Sequence, residues 1–184
     1  MRRTLLVAIA VVWGGVVVAG VYAMATHETT PGAAVGAPER WPSASRLPRG
    51  PGYTVAMFVH PDCPCSRASL AELAAVASAA AVSIDVVVAG PDVAGEVWDA
   101  AGRIRGVVRI IDDGTEAARF GARTAGQTVV YDPGGARRFA GGITGSRGHA
   151  GDNVGRDTVL RILAGLPGQP AAHPVFGCAL GGGG

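Results

Sequence analysis

The sequence predicts an α/β domain, and three observations carry that reading. Two apolar runs, residues 53–59 and 83–89, flank a stretch of helical periodicity, residues 66–80. Neither run alternates apolar with polar, which marks strands covered on both faces by helices. A turn sequence, Asp132-Pro133-Gly134-Gly135, separates residues 127–131 from 137–140 and marks a hairpin.

The elements follow in order. Residues 54–59 form a central strand. A helix begins at Cys63 or Ser66 and runs to Ala80, with Leu70, Leu73, Val76, Ala77 and Ala80 on one face. The earlier start is favoured, because Asp62 can cap and Pro64 fits a first turn. Ser69 to Glu72 offers a competing capping box. Residues 83–89 form a second buried strand. Pro91-Asp92 opens a short helix through Trp98. Residues 107–111 are a third strand, and 115–120 a helix stopped by Gly121. The hairpin follows, then a glycine-rich loop over 141–155 and a final helix over 156–164.

Four regions are expected. Residues 1–26 are a membrane anchor or signal segment: Arg2-Arg3 precede an uncharged run from Thr4 to Thr26, long enough to cross a bilayer core. The arginines predict the N-terminus inside and the remainder outside. Ala23-Met24-Ala25 also suits cleavage of a signal peptide, which would leave the protein secreted. Residues 27–52, with five prolines, read as an extended linker. Residues 53–166 are the folded domain, and 167–184 an irregular tail whose last four residues are expected to be disordered.

Composition excludes several functions. The net charge is +2, with the basic residues scattered and none of them lysine. No basic stripe invites nucleic acid. A P-loop lysine and a Schiff base are both ruled out. Three cysteines are too few, and odd in number, for a disulfide framework.

The chemistry therefore centres on Cys63-Pro64-Cys65, where a strand hands over to a helix. A thiolate there feels the positive end of the helix dipole, which lowers its pKa. In a redox reading Cys63 is the more exposed nucleophile, Cys65 resolves the mixed disulfide, and His60 stabilises the thiolate. No cofactor is needed for that. Copper is the alternative, held by Cys63 and Cys65 with Cys178 or His60, since soft sulfur ligands suit Cu(I). An idle pair in a non-catalytic domain is a third reading. Cys178 returns to the pair or joins another chain. His149, beside Asp152 and Asn153 in the glycine-rich loop, is either a wall of the cysteine site or a surface residue. Ser146 lacks the strand–turn–helix setting of a hydrolase nucleophile.

The order strand, cysteine pair, helix, strand, then helix–strand–hairpin–helix resembles the thioredoxin-like fold, a three-layer structure with a central mixed sheet. That resemblance implies a cis-proline before the hairpin, and Gly126 stands at that position. Pro64, Ala125, Gly126 and His149 are the expected substrate-binding residues. Three strings, residues 60–67, 141–153 and 174–178, resemble the small membrane-tethered bacterial proteins labelled RedB. The cysteine pair and the predicted export point to exchange with protein or small-thiol disulfides outside the cytoplasm, and to a membrane or periplasmic redox partner.

Overall fold

The computed structural model describes residues 2–33, 36–90, 95–167 and 170–181. They form two units, Met1–Thr30 and Pro31–Gly184.

The first unit is one helix, α1 (Arg2–Thr29), with no buried residue. It is apolar around its circumference, and its 28 residues are long enough to cross a membrane. At 1.5 Å per residue it measures about 42 Å. The helix runs three residues beyond the expected boundary at Thr26.

In the second unit the strands are β1 (Thr54–Val59), β2 (Ser83–Ala89), β3 (Val107–Asp112), β4 (Gln127–Tyr131), β5 (Arg137–Gly141) and β6 (Ala172–His173). They form one sheet in the order β3-β2-β1-β4-β5-β6. β1 pairs parallel with β2 and antiparallel with β4, so the sheet is mixed. All six β1 residues are buried, which is why its sequence shows no alternation.

The helices are α2 (Pro64–Ala79), α3 (Glu96–Gly102), α4 (Thr115–Arg119) and α5 (Val154–Leu163). On one face of the sheet, Leu70, Leu73 and Val76 of α2, Val97 and Ala101 of α3, and Val159 and Ile162 of α5 meet Val55, Met57, Val59, Ile84, Val86 and Val88. Burying each large aliphatic side chain of this kind is worth about 1.5–3 kcal/mol. The other face packs Ala56, Phe58, Val87, Val129 and Tyr131 against Ala117 of α4 and Phe120. Three layers result, the thioredoxin-like arrangement that the element order predicts. The α3 helix lies later than expected, and the start expected at Pro91-Asp92 lies outside the described residues.

Two expectations are corrected here. Residues 36–52 are not an extended linker. Ala37 and Leu47 are buried, and Trp41 sits edge-on to Phe120 and Tyr131 at 5.1 and 5.3 Å. The Tyr131 hydroxyl donates to the Pro38 carbonyl at 2.8 Å, and Arg40 bridges Ala136 in antiparallel fashion. Ser45 Oγ donates to Glu116 at 2.8 Å. The physical reason is that α4 alone, five residues long, cannot cover its face of the sheet; this segment completes the cover. The sheet also extends beyond residue 166, into a tail that is otherwise irregular over its described residues. β6 pairs parallel with β5, and Val175 and Phe176 are buried.

Candidate active site

The site is built where β1 ends. Cys63 N donates to the His60 carbonyl at 3.2 Å, closing a turn. Ser66 Oγ donates to the same carbonyl at 3.0 Å and accepts from His60 N at 3.3 Å. Ser66 thus clamps the end of the strand to the first turn of α2. Cys63 is the N-cap of that helix and Pro64 its first residue, so the earlier start holds. Asp62 is not the cap; its N–H instead donates to His60 Nδ1 at 3.2 Å. The Ser69–Glu72 capping box does not form either, since both residues lie inside α2.

Cys178 returns to this turn. Its Sγ lies 2.8 Å from Cys63 Sγ, and the three sulfurs of Cys63, Cys65 and Cys178 lie within 4.8 Å of one another. The exposure order is the reverse of the expected one. Cys63 is only 2% exposed, Cys65 is intermediate and Cys178 is exposed. The tail covers Cys63, which the helix start alone would leave open.

The tail is seated by backbone. Ala125 N donates to the Cys178 carbonyl at 2.7 Å, and Leu180 N donates to the Arg123 carbonyl at 2.8 Å. Thr124 and Ala179 form an antiparallel bridge. Arg147 Nη1 donates to the Gly177 carbonyl. Ala125 is fully buried beneath this strand. Gly126, at φ +90°, donates its N–H to the Phe58 carbonyl at 2.7 Å. A Cβ there would stand 2.6 Å from Ser69 Oγ, so glycine is required by both backbone and space.

The loop after β5 forms a second wall, and Glu72 of α2 holds it. This buried carboxylate accepts from Gly151 N at 2.6 Å and Arg156 Nη1 at 2.8 Å, with Asn153 Nδ2 at 3.4 Å. Asn153 Oδ1 in turn caps α5 through Arg156 N at 2.8 Å. His149 is exposed, and its Nδ1 lies 2.9 Å from both Ser146 Oγ and the Arg147 carbonyl. Both partners belong to its own loop, which suits the surface position rather than a wall of the cysteine site. Arg147 and Gly148 act on the sulfurs instead.

The three thiols are not equivalent. Burial pushes Cys63 up, but Cys178 Sγ and the backbone N–H groups of Cys178, Cys65 and Ser66 outweigh it, and its pKa falls below the ordinary 9.0. Burial raises Cys65, and the Cys63 charge raises it further against the pull of Arg147. Burial and the hydrogen bond to Cys63 push Cys178 up to about 12. Of the three sulfurs, Cys63 alone is shifted toward the thiolate, while Cys65 and Cys178 are shifted toward the thiol.

Sequence reasoning singled out all three cysteines but missed Ser66, Gly177 and the electrostatic part of Arg147. A short serine three residues after the first cysteine is the signal that was there to read.

Fold and site together define a thioredoxin-like domain with three converging cysteines. Two solved structures share the fold. An uncharacterized conserved protein of Geobacillus kaustophilus matches with a TM-score of 0.60 at 18% identity, over 83% of this chain and 90% of its own. A hypothetical protein of Sinorhizobium meliloti matches with a TM-score of 0.60 at 17% identity, over 82% of this chain and 97% of its own. A secreted disulfide oxidoreductase of Mycobacterium tuberculosis, described as homologous to E. coli DsbE, gives a TM-score of 0.47 at 22% identity, over 62% of this chain and 82% of its own. No family model and no curated protein matches the chain.

Proposed function

We propose that this protein is a thiol–disulfide oxidoreductase held at the outer face of a membrane by α1. One observation carries the reading: Cys63, the helix N-cap, is the one cysteine of the three whose pKa is lowered, and two proton-bearing thiols lie within 4.8 Å of it. A thiolate is the attacking form in disulfide exchange, and a nearby second thiol is what releases the mixed disulfide. Residues from three separate strings, 60–67, 141–153 and 174–178, contribute to the sulfur site. The substrates are disulfides of proteins or small thiols outside the cytoplasm. A membrane or periplasmic redox partner resets the cysteines.

The test is exchange with oxidised glutathione at pH 7. The reduced full-length protein in detergent should be oxidised by it, and Cys63→Ser should abolish the reaction. A Cys63 no more reactive than a free thiol at that pH would sink the reading.

The sulfur cluster favours a second reading. Three thiolates suit Cu(I), and Cys63, Cys65 and Cys178 would hold it, with no part for His60, which is outside the cluster. Under this reading the reduced protein binds Cu(I) against a competing chelator, Cys178→Ser weakens binding and His60→Ala does not. Equal binding by wild type and Cys178→Ser would dismiss it.

A further inference from the structure

We propose that Cys178, rather than Cys65, is the sulfur that pairs with Cys63 when the site is oxidised; this rests on the exchange chemistry proposed above. Cys63 and Cys178 are 115 residues apart in the chain, yet their sulfurs are 2.8 Å apart, in contact and short of a covalent bond of about 2.0 Å. Cys65 Sγ lies within 4.8 Å of Cys63 Sγ, two residues along the same turn. A Cys63–Cys65 bond would close a small ring through Pro64, whose φ is fixed.

Cys178 is held for the task. Backbone hydrogen bonds at its own carbonyl and at Leu180 N bracket it, and Val175 and Phe176 anchor the chain just before it. Gly177 lets the strand come close: a Cβ there would stand 1.9 Å from the Ala125 carbonyl oxygen. This is more fixing than a surface thiol without a role requires.

The cycle balances. The Cys63 thiolate attacks one sulfur of an external disulfide, R–S–S–R′, that takes the place of the Cys178 side chain. The R–S–S–R′ bond breaks, Cys63–S–S–R forms, and R′–S⁻ leaves with the electron pair and takes a proton from solvent. Cys178 then gives up its proton and attacks Cys63 Sγ. The Cys63–Cys178 bond forms, and R–S⁻ leaves and is protonated. Two electrons pass to the substrate, which is reduced to two thiols, and the protein dithiol becomes a disulfide.

The experiment treats reduced full-length wild type, Cys65→Ser and Cys178→Ser in detergent with oxidised glutathione, quenches in acid, alkylates and maps the products by peptide mass spectrometry. Wild type and Cys65→Ser should give a Cys63–Cys178 crosslink, and Cys178→Ser should accumulate glutathione on Cys63 as its main species. A Cys63–Cys65 disulfide as the main product in wild type, or adduct accumulating in Cys65→Ser, would overturn the assignment while leaving the exchange activity standing. No modification of Cys63 in any of the three would overturn the activity and the assignment together. The wild-type map decides the matter even if a variant fails to fold.

Discussion

Gly177 lies so close to Ala125 that a Cβ at 177 would stand 1.9 Å from the Ala125 carbonyl oxygen. No side chain fits there without moving backbone. Gly177→Ala should therefore unseat the tail at a cost of about 1–3 kcal/mol. Cys63 should then be alkylated faster, by roughly tenfold for each 1.4 kcal/mol lost. Unchanged alkylation of the variant would mean that the tail does not guard Cys63.

The pH profile of Cys63 follows from its partners. Its alkylation should titrate below the ordinary thiol value, and Cys178→Ala should move the midpoint upward by removing a donor. Stability follows with opposite signs. The lowered Cys63 pKa contributes stability that is present above the ordinary value of 9.0 and is lost as pH falls through the folded value. The raised Cys178 pKa contributes stability that is present below 9.0 and is lost as pH rises toward about 12. Urea unfolding of the reduced protein across this range checks both.

Glu72 ties α2 to α5 and to the loop that carries Arg147. Its side chain is 4% exposed and that of Arg156 17%, so the pair is largely desolvated. Glu72→Ala should cost about 3–5 kcal/mol by stranding Arg156 and freeing Gly151 N. Asp152→Ala, which removes a fully exposed partner of Arg156, should leave the unfolding midpoint nearly unchanged. Equal effects from the two variants would refute this division of labour.

Asp85 is a cost the fold carries. It is buried in β2, its Oδ2 has no hydrogen-bond partner among the described residues, and burial pushes its pKa up to about 7. The unfolded chain ionises it near the ordinary 3.8, so stability is full below that value and declines as pH rises to about 7. The gap corresponds to roughly 4 kcal/mol. Asp85→Asn should flatten this dependence and be the more stable form at pH 8. A wild-type stability that does not fall between pH 4 and 7 would contradict the assignment.

The sequence by itself determined β1 to β5, the helices α2, α4 and α5, and the place of Cys63. Apolar runs, the Asp132–Gly135 turn and Pro64 at the helix start are local signals, and local hydrogen bonding and burial obey them. It also marked α1, because length and apolarity alone decide whether a helix can cross a membrane. Only the tertiary structure decided that Trp41 and Leu47 cover the second face of the sheet, that Cys178 and not His149 stands over Cys63, and that Cys63 is the least exposed of the three sulfurs. Those outcomes depend on contacts between segments far apart in the chain. A proline-rich stretch and a glycine-rich tail carry no periodicity to announce them, and their positions follow from the surface that the rest of the domain leaves uncovered.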